Sequence, residues 1–346
     1  MSARGRCEVG LRRLALAASV SCGSPARQTS SVAPPAYTAL SQTGFHTSAD
    51  GLAVPGQARA FAPAFALWSD GAEKSRWIAL PDGERIDTRD MDHWLFPVGT
   101  RAWKEFALAG MRLETRLIER WGPGPNDYFM GTFVWNAEQT EAYLAADGSD
   151  DVLGTAHDAP AQERCPTCHN GDTGRILGFS ALQLAATSLT APPASSPSTS
   201  LSALADDGWL DTLPPSSLPI ARADPGTMAP ALGYLHANCG HCHNPRGTAW
   251  PDTQMLLRVD VDEPLDERSG IYESVVGQRL QYFRDQGGQV ALRVDPGRAD
   301  SSGLIARMAV RGPREQMPPL ATEQIDVEGL ELIRSWIEAM PAASAP

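Results

Sequence analysis

Between residues 60 and 145 apolar and polar positions alternate in short runs separated by turn residues. Trp77–Leu80 precedes a Pro81-Asp82-Gly83 turn, and Glu84–Thr88 and Trp94–Pro97 follow, closed by Gly99. Ala102–Ala109 passes through Gly110 into Met111–Trp121, where Leu113, Thr115 and Leu117 alternate with Glu114, Arg116 and Ile118. Asp127–Trp135 and Thr140–Ala145 complete the set. A period of two with turn signals about every ten residues predicts an antiparallel sheet or sandwich. Its aromatic residues, Trp68, Trp77, Trp94, Trp103, Trp121, Phe129, Phe133 and Trp135, are read first as sheet core.

After residue 150 the pattern changes. Phe179–Ala186, Leu201–Leu210 and Thr227–Asn238 predict short helices, the last with Leu232 and Leu235 on one face. Met255–Val259 and Val290–Val294 are apolar runs in a strand-leaning insertion. A final helix is expected from an Asp326 N-cap, with Leu330, Ile333, Trp336, Ile337 and Met340 on one face and Pro341 as its stop. The fold class is therefore α+β: an antiparallel β-rich domain over 59–148, then mainly helical segments over 149–187 and 225–342. Residues 23–58 and 188–224 are rich in Ser, Ala and Pro and read as a tether and a linker.

Charge narrows the partners. Lys and Arg number 29 against 41 Asp and Glu, a net charge of −12, which argues against nucleic acid, since that needs a basic footprint. The longest apolar runs fall short of a membrane span. Residues 1–22 read as an export signal, with Arg4, Arg6, Arg12 and Arg13 before the apolar run Leu14–Val20. Cys22 directly after it is a candidate lipidation site, with ordinary cleavage near Ala26 as the alternative. The protein is thus expected outside the inner membrane, periplasmic or held by a lipid anchor.

The cysteines carry the chemistry. Besides Cys7 and Cys22 there are two pairs, Cys165-Pro166-Thr167-Cys168-His169 and Cys239-Gly240-His241-Cys242-His243. C-x-x-C-H is the attachment sequence of c-type haem. Two thiols one turn apart meet the two vinyl groups on one porphyrin edge, and the next His ligates the iron. With 6 Cys and 7 His in 346 residues, two such motifs arise by chance on the order of once in a million. A Cys₄ zinc site is the competing reading, but its pairs usually lie about 15–20 residues apart, and zinc gives no reason for a His after each pair.

Cys165, Cys168, Cys239 and Cys242 are therefore expected to hold two haem c groups, with His169 and His243 as proximal ligands. Met317, in Met317-Pro318-Pro319, is the candidate second ligand of the second haem, with Met308 as its rival. For the first haem the candidate is His157, just upstream of the motif; Met130, Met111, His93 and Lys104 are also possible. His241 and His236 read as edge or surface residues.

Further motifs extend the picture: Leu67-Trp68-Ser69-Asp70-Gly71-Ala72-Glu73-Lys74 with Arg76-Trp77, Phe96-Pro97-Val98-Gly99-Thr100 with Lys104-Glu105-Phe106, Glu114-Thr115-Arg116-Leu117, Val134-Trp135-Asn136 and Leu177-Gly178-Phe179. With Tyr234-Leu235 and Asn238–His243, this order over about residues 60–340 resembles a family of bacterial diheme c-type cytochromes. The resemblance implies a β-rich region ahead of cytochrome c-like haem segments, covalent haem and export. The expected role is single-electron transfer to redox partner proteins. The rivals are a diheme enzyme, peroxidase-like or the haem subunit of a dehydrogenase, with an open axial site at the first haem, and a zinc-stapled interaction module.

Overall fold

A computed structural model describes residues 33–48, 51–53, 57–185, 199–215, 218, 226–281, 292–312, 315–320 and 322–342. The expected export signal and Cys22 lie outside these residues, as does most of the linker. The architecture is α+β. A hairpin of β1 (His46–Ser48) and β2 (Gly51–Ala53) precedes a six-stranded antiparallel sheet. Its strands are β3 (Arg59–Ala60), β4 (Glu73–Ala79), β5 (Arg101–Leu108), β6 (Met111–Arg120), β7 (Tyr128–Trp135) and β8 (Ala142–Leu144), adjacent in sequence order. The helices are α1 (Cys165–His169), α2 (Ala181–Leu184), α3 (Leu201–Asp206), α4 (Met228–Asn238), α5 (Trp250–Thr253), α6 (Gly270–Val275), α7 (Gly303–Met308) and α8 (Val327–Glu338). No described helix is long and apolar enough to cross a membrane.

Register decides what each sheet face carries, because directly paired residues share a face. Trp77, Trp103 and Leu117 are cross-strand partners in that order. Around them Phe45, Phe133 and Trp135 close a core on the outer face. Most of the strand aromatics are thus sheet core. Two polar aromatic atoms inside it are satisfied: Trp103 Nε1 donates to Thr43 Oγ1 at 3.1 Å and Trp135 Nε1 to Thr115 Oγ1 at 3.0 Å. The opposite, inner face carries Ile78, Ala102 and Ile118 in one row, and charged side chains in the rows beside it.

The apolar row joins a second core that runs from Phe61 to Met340. Phe61, Trp94 and Phe96 pack around Phe179, with ring centroids 4.8, 5.8 and 6.0 Å away. Leu232 and Leu235 of α4 continue this core to Ile333, Trp336 and Ile337 of α8. As expected, Asp326 caps α8, accepting from Gly329 N at 2.9 Å.

Three local expectations change. Residues 84–88 and 94–97 make only isolated bridges, Asp87 with Leu95 and Ile86 with Leu210. Pro97 has no N–H to extend the pairing. Residues 255–259 form no strand, because the backbone finds other partners: Leu257 N donates to His243 O at 2.8 Å and Val259 N to His236 Nδ1 at 3.1 Å. His236 is accordingly not a surface residue. Burial lowers its pKa to about 3, which keeps its ring neutral and able to accept.

Glu105, on β5, is buried, and its Oε2 has no hydrogen-bond partner among the described residues. Burial raises its pKa to about 7, against the charge of Arg112, which lowers it. The folded state therefore holds this proton more tightly than the unfolded state. Its contribution to stability is full below about pH 4.5 and is lost as pH rises through about 7. Glu105→Gln is expected to stabilise the fold by about 1–3 kcal/mol at pH 8 and by almost nothing at pH 4. Urea unfolding at the two pH values checks this; equal effects at both would refute it.

Candidate haem-attachment sites

The second motif is positioned by α4. The helix ends at Asn238, and the turns continue: Cys242 N donates to Cys239 O at 3.1 Å and His243 N to Cys239 O at 2.9 Å. This winding puts Cys239, Cys242 and His243 on the wall of one cavity of about 320 Å³. That is within the range of sites that enclose a small molecule. Met317 and Met308 line the same cavity, with Leu257 and Leu304 supplying apolar wall. Arg293 and Arg307 bring positive charge to it. Arg293 is anchored by donating to Ser274 O and Thr253 O. The cavity thus brings together the sequence-expected ligands His243 and Met317, and the rival Met308.

His243 Nδ1 lies 3.3 Å from Thr253 Oγ1. That hydroxyl already donates to Ala249 O at 2.8 Å, so it accepts from His243 Nδ1–H. Nε2 is left with its lone pair. Burial lowers the His243 pKa to about 4, so the ring is neutral at pH 7. The first motif repeats this chemistry. His169 Nδ1 lies 2.6 Å from Arg175 O, and a carbonyl can only accept. Burial likewise lowers His169 to about 4. Both histidines that follow a C-x-x-C are therefore neutral and fixed in the tautomer that presents Nε2. Iron-ligating imidazoles need this arrangement, with an oxygen partner on the other nitrogen. Two thiols and one neutral imidazole at each motif are the donors that a covalently held haem would use.

The two motifs also touch one another. A ligand atom of Cys168, His241 and Cys242 each lies within 4.8 Å of the others. Cys242 Sγ lies 3.8 Å from Thr167 O. The hydrogen bond from Cys242, with the nearby His241, pulls the Cys168 thiol down against burial, which raises it. Gly171 permits the approach: a Cβ there would sit 1.9 Å from His241 O. His241, expected at an edge, instead sits between the two segments. Cys165 and Cys239 lie outside this cluster, so a Cys₄ site is not formed among the described residues.

The first motif faces the inner side of the sheet. Cys165 lies within electrostatic reach of Arg116 and Glu114, and His169 of Lys104. His157 is buried here, but its Nε2 lies 2.9 Å from Glu114 Oε1. Arg116 pairs with the same carboxylate oxygen. Burial alone would push the Glu114 carboxyl up. The charge of Arg116 and the hydrogen bonds from His157 and Arg116 outweigh it and hold the group below its ordinary range. An ionised carboxylate only accepts, so His157 Nε2–H donates. One nitrogen of the expected ligand is thereby committed to Glu114.

The other candidates are spread out. Met130 is buried on β7, Met111 opens β6, and His93 lies in the turn ahead of Trp94, its Nδ1 buried without a partner among the described residues. Lys104 is on the inner face, its pKa lowered well below 10.5 by burial and then by Arg76, Arg116 and Lys74.

The first N-terminal motif is explained by docking. Trp68 N donates to Asn238 Oδ1 at 2.8 Å, and Asn238 Nδ2 to Ala66 O at 3.1 Å. Asp70 accepts from Glu323 N and Gln324 N, both near 3 Å. These residues hold the second motif and the segment after Met317 to one stretch of chain. Comparison with family models, with curated proteins and with solved structures finds no match for this chain.

Proposed function

We propose that this protein is an exported diheme c-type cytochrome that passes single electrons between redox partners. One observation carries the reading. Each C-x-x-C-H motif holds its histidine neutral with Nδ1–H given to an oxygen, so that two Nε2 atoms are presented in the same way. A Cys₄ zinc site, which uses no histidine, would not require that of either motif.

On this reading Cys165 and Cys168 bind the first haem and Cys239 and Cys242 the second. His169 and His243 are proximal ligands, and Met317 is the second ligand at the second site. When bound, the haems supply a reversible one-electron couple at each iron. The chain's own residues do the rest. Arg175 O and Thr253 Oγ1 orient the two imidazoles. The apolar wall around Leu257 and Leu304 excludes water, which with thioether ligation favours the reduced state. The short separation between Cys168 and Cys242 sets the two attachment edges side by side, a geometry suited to electron exchange between the haems. The net charge of −12 suits docking to a basic partner by attraction that salt weakens.

The commitment of His157 to Glu114 favours a second reading, a diheme enzyme whose first iron keeps an exchangeable site. Rapid reaction of the reduced protein with peroxide separates it from a pure carrier. The Cys168, His241 and Cys242 cluster is the best case for a metal-stapled module.

The deciding experiment is haem stoichiometry after expression with a c-haem maturation system. The intact denatured mass and a pyridine haemochrome assay are expected to give two covalent haems. A folded, colourless protein carrying zinc would overturn the cytochrome reading.

A further inference from the structure

The N-terminal motifs place unusual residues on the inner sheet face. Arg76, Lys104, Arg116 and Thr132 are direct cross-strand partners, one row across β4, β5, β6 and β7. Lys74 lies in the next row, with Phe106 and Glu114. Arg116 is paired with Glu114, and Lys74 donates to Leu67 O at 2.9 Å. The other members of the row have no such partner among the described residues. Arg76 is only 8% exposed, and its guanidinium makes no hydrogen bond or ion pair among the described residues. Burial lowers its pKa only to about 10, so it stays charged at pH 7. Among the described residues Lys104 Nζ lies over the Phe106 ring, 4.6 Å from its centroid, with Glu114 within electrostatic reach. Thr132 is fully buried, and its Oγ1 has no partner among the described residues.

A buried cation without a counter-ion is destabilising, and a buried hydroxyl without a partner adds to that. A row of donors left open in this way is what an anion receptor looks like before its ligand is considered. Among the described residues Glu114 is the one carboxylate in the adjacent rows of this face, and Arg116 and His157 already pair with it. Planar, bidentate recognition by a guanidinium is matched best by a carboxylate.

We propose that Arg76 and Lys104, with Arg116 and then Thr132 farther along the same row, form a carboxylate receptor against the first haem segment. Two sources share this chemistry: a propionate of the first haem, or a small free carboxylate bound next to it. The propionate source rests on the two-haem reading; the free carboxylate does not.

The test uses the full chain as purified, with haem content measured first. Wild type is titrated calorimetrically with sodium succinate at constant ionic strength. Wild type, Arg76→Gln, Arg76→Lys and Thr132→Val are then compared in optical redox titrations. If the receptor takes a free carboxylate, wild type binds succinate saturably. Arg76→Gln then weakens binding at least tenfold, with partial rescue by Arg76→Lys. If it holds a propionate, succinate does not bind. The potential step that Met317→His leaves in place then shifts downward in Arg76→Gln, less in Arg76→Lys and Thr132→Val. Should Arg76→Gln fail to fold, the wild-type titration and Thr132→Val give the same reading. Two haems with neither succinate binding nor a shifted step would overturn the receptor. A colourless protein would instead overturn the haem reading, and its succinate titration would still decide whether the row binds a free carboxylate.

Discussion

On the proposed two-haem reading, histidine in place of Met317 is expected to lower one of the two reduction potentials by a few tenths of a volt, within the ~0.8 V that axial ligands span. The argument is local to the cavity. Met317 and His243 line the same space, and Met317 N is tied to Arg307 O at 3.0 Å. A thioether stabilises the reduced iron relative to a second imidazole, so its exchange for His favours the oxidised state. Spectroelectrochemical titration of wild type and Met317→His reads the shift, and the sulfur-to-iron charge-transfer band of the oxidised protein should vanish with it. Met308, on α7, lines the same cavity. If Met317→His leaves both potentials and that band unchanged while Met308→Leu removes the band, the ligand is Met308.

Glu114→Ala is expected to destabilise the fold by about 3–5 kcal/mol, the usual cost of removing one partner from a buried ion pair. Glu114 is fully buried and receives both Arg116 and His157 on Oε1. Without it Arg116 loses its counter-ion in a row that already holds Arg76 and Lys104, and His157 loses its hydrogen bond. Glu114→Gln keeps an acceptor but not the charge, so it should cost less. Urea unfolding at pH 7 measures both. A loss below about 1 kcal/mol for Glu114→Ala would mean that the inner face tolerates its cations without this carboxylate.

The strands of 101–135 were legible because period-two patterning and turn residues agree there, and a register slip would turn Trp103 and Leu117 away from their core. The capped helix at Asp326 was legible for the same kind of reason, since its apolar face and its cap coincide. The runs at 84–88, 94–97 and 255–259 were not. A short apolar run records burial, not the partner of its backbone, and residues 255–259 are satisfied by His243 and His236. His236 was illegible for the same reason: its position on α4 carries no sign that another segment's N–H needs its ring.

What the sequence alone determined is the pair of C-x-x-C-H motifs and the residues next to them, because such a motif is set by spacing within five residues. It also determined the antiparallel sheet and the acidic balance. Tertiary structure alone decided which residues face which motif. It brought Met317 to the cavity of His243, committed His157 to Glu114, and set Cys168 beside Cys242 through Gly171. It also gathered Arg76, Lys104, Arg116 and Thr132, from four strands, into one row. Such neighbours are far apart along the chain, and their meeting depends on strand register and on how the helices lie over the sheet. No local pattern of residues encodes either.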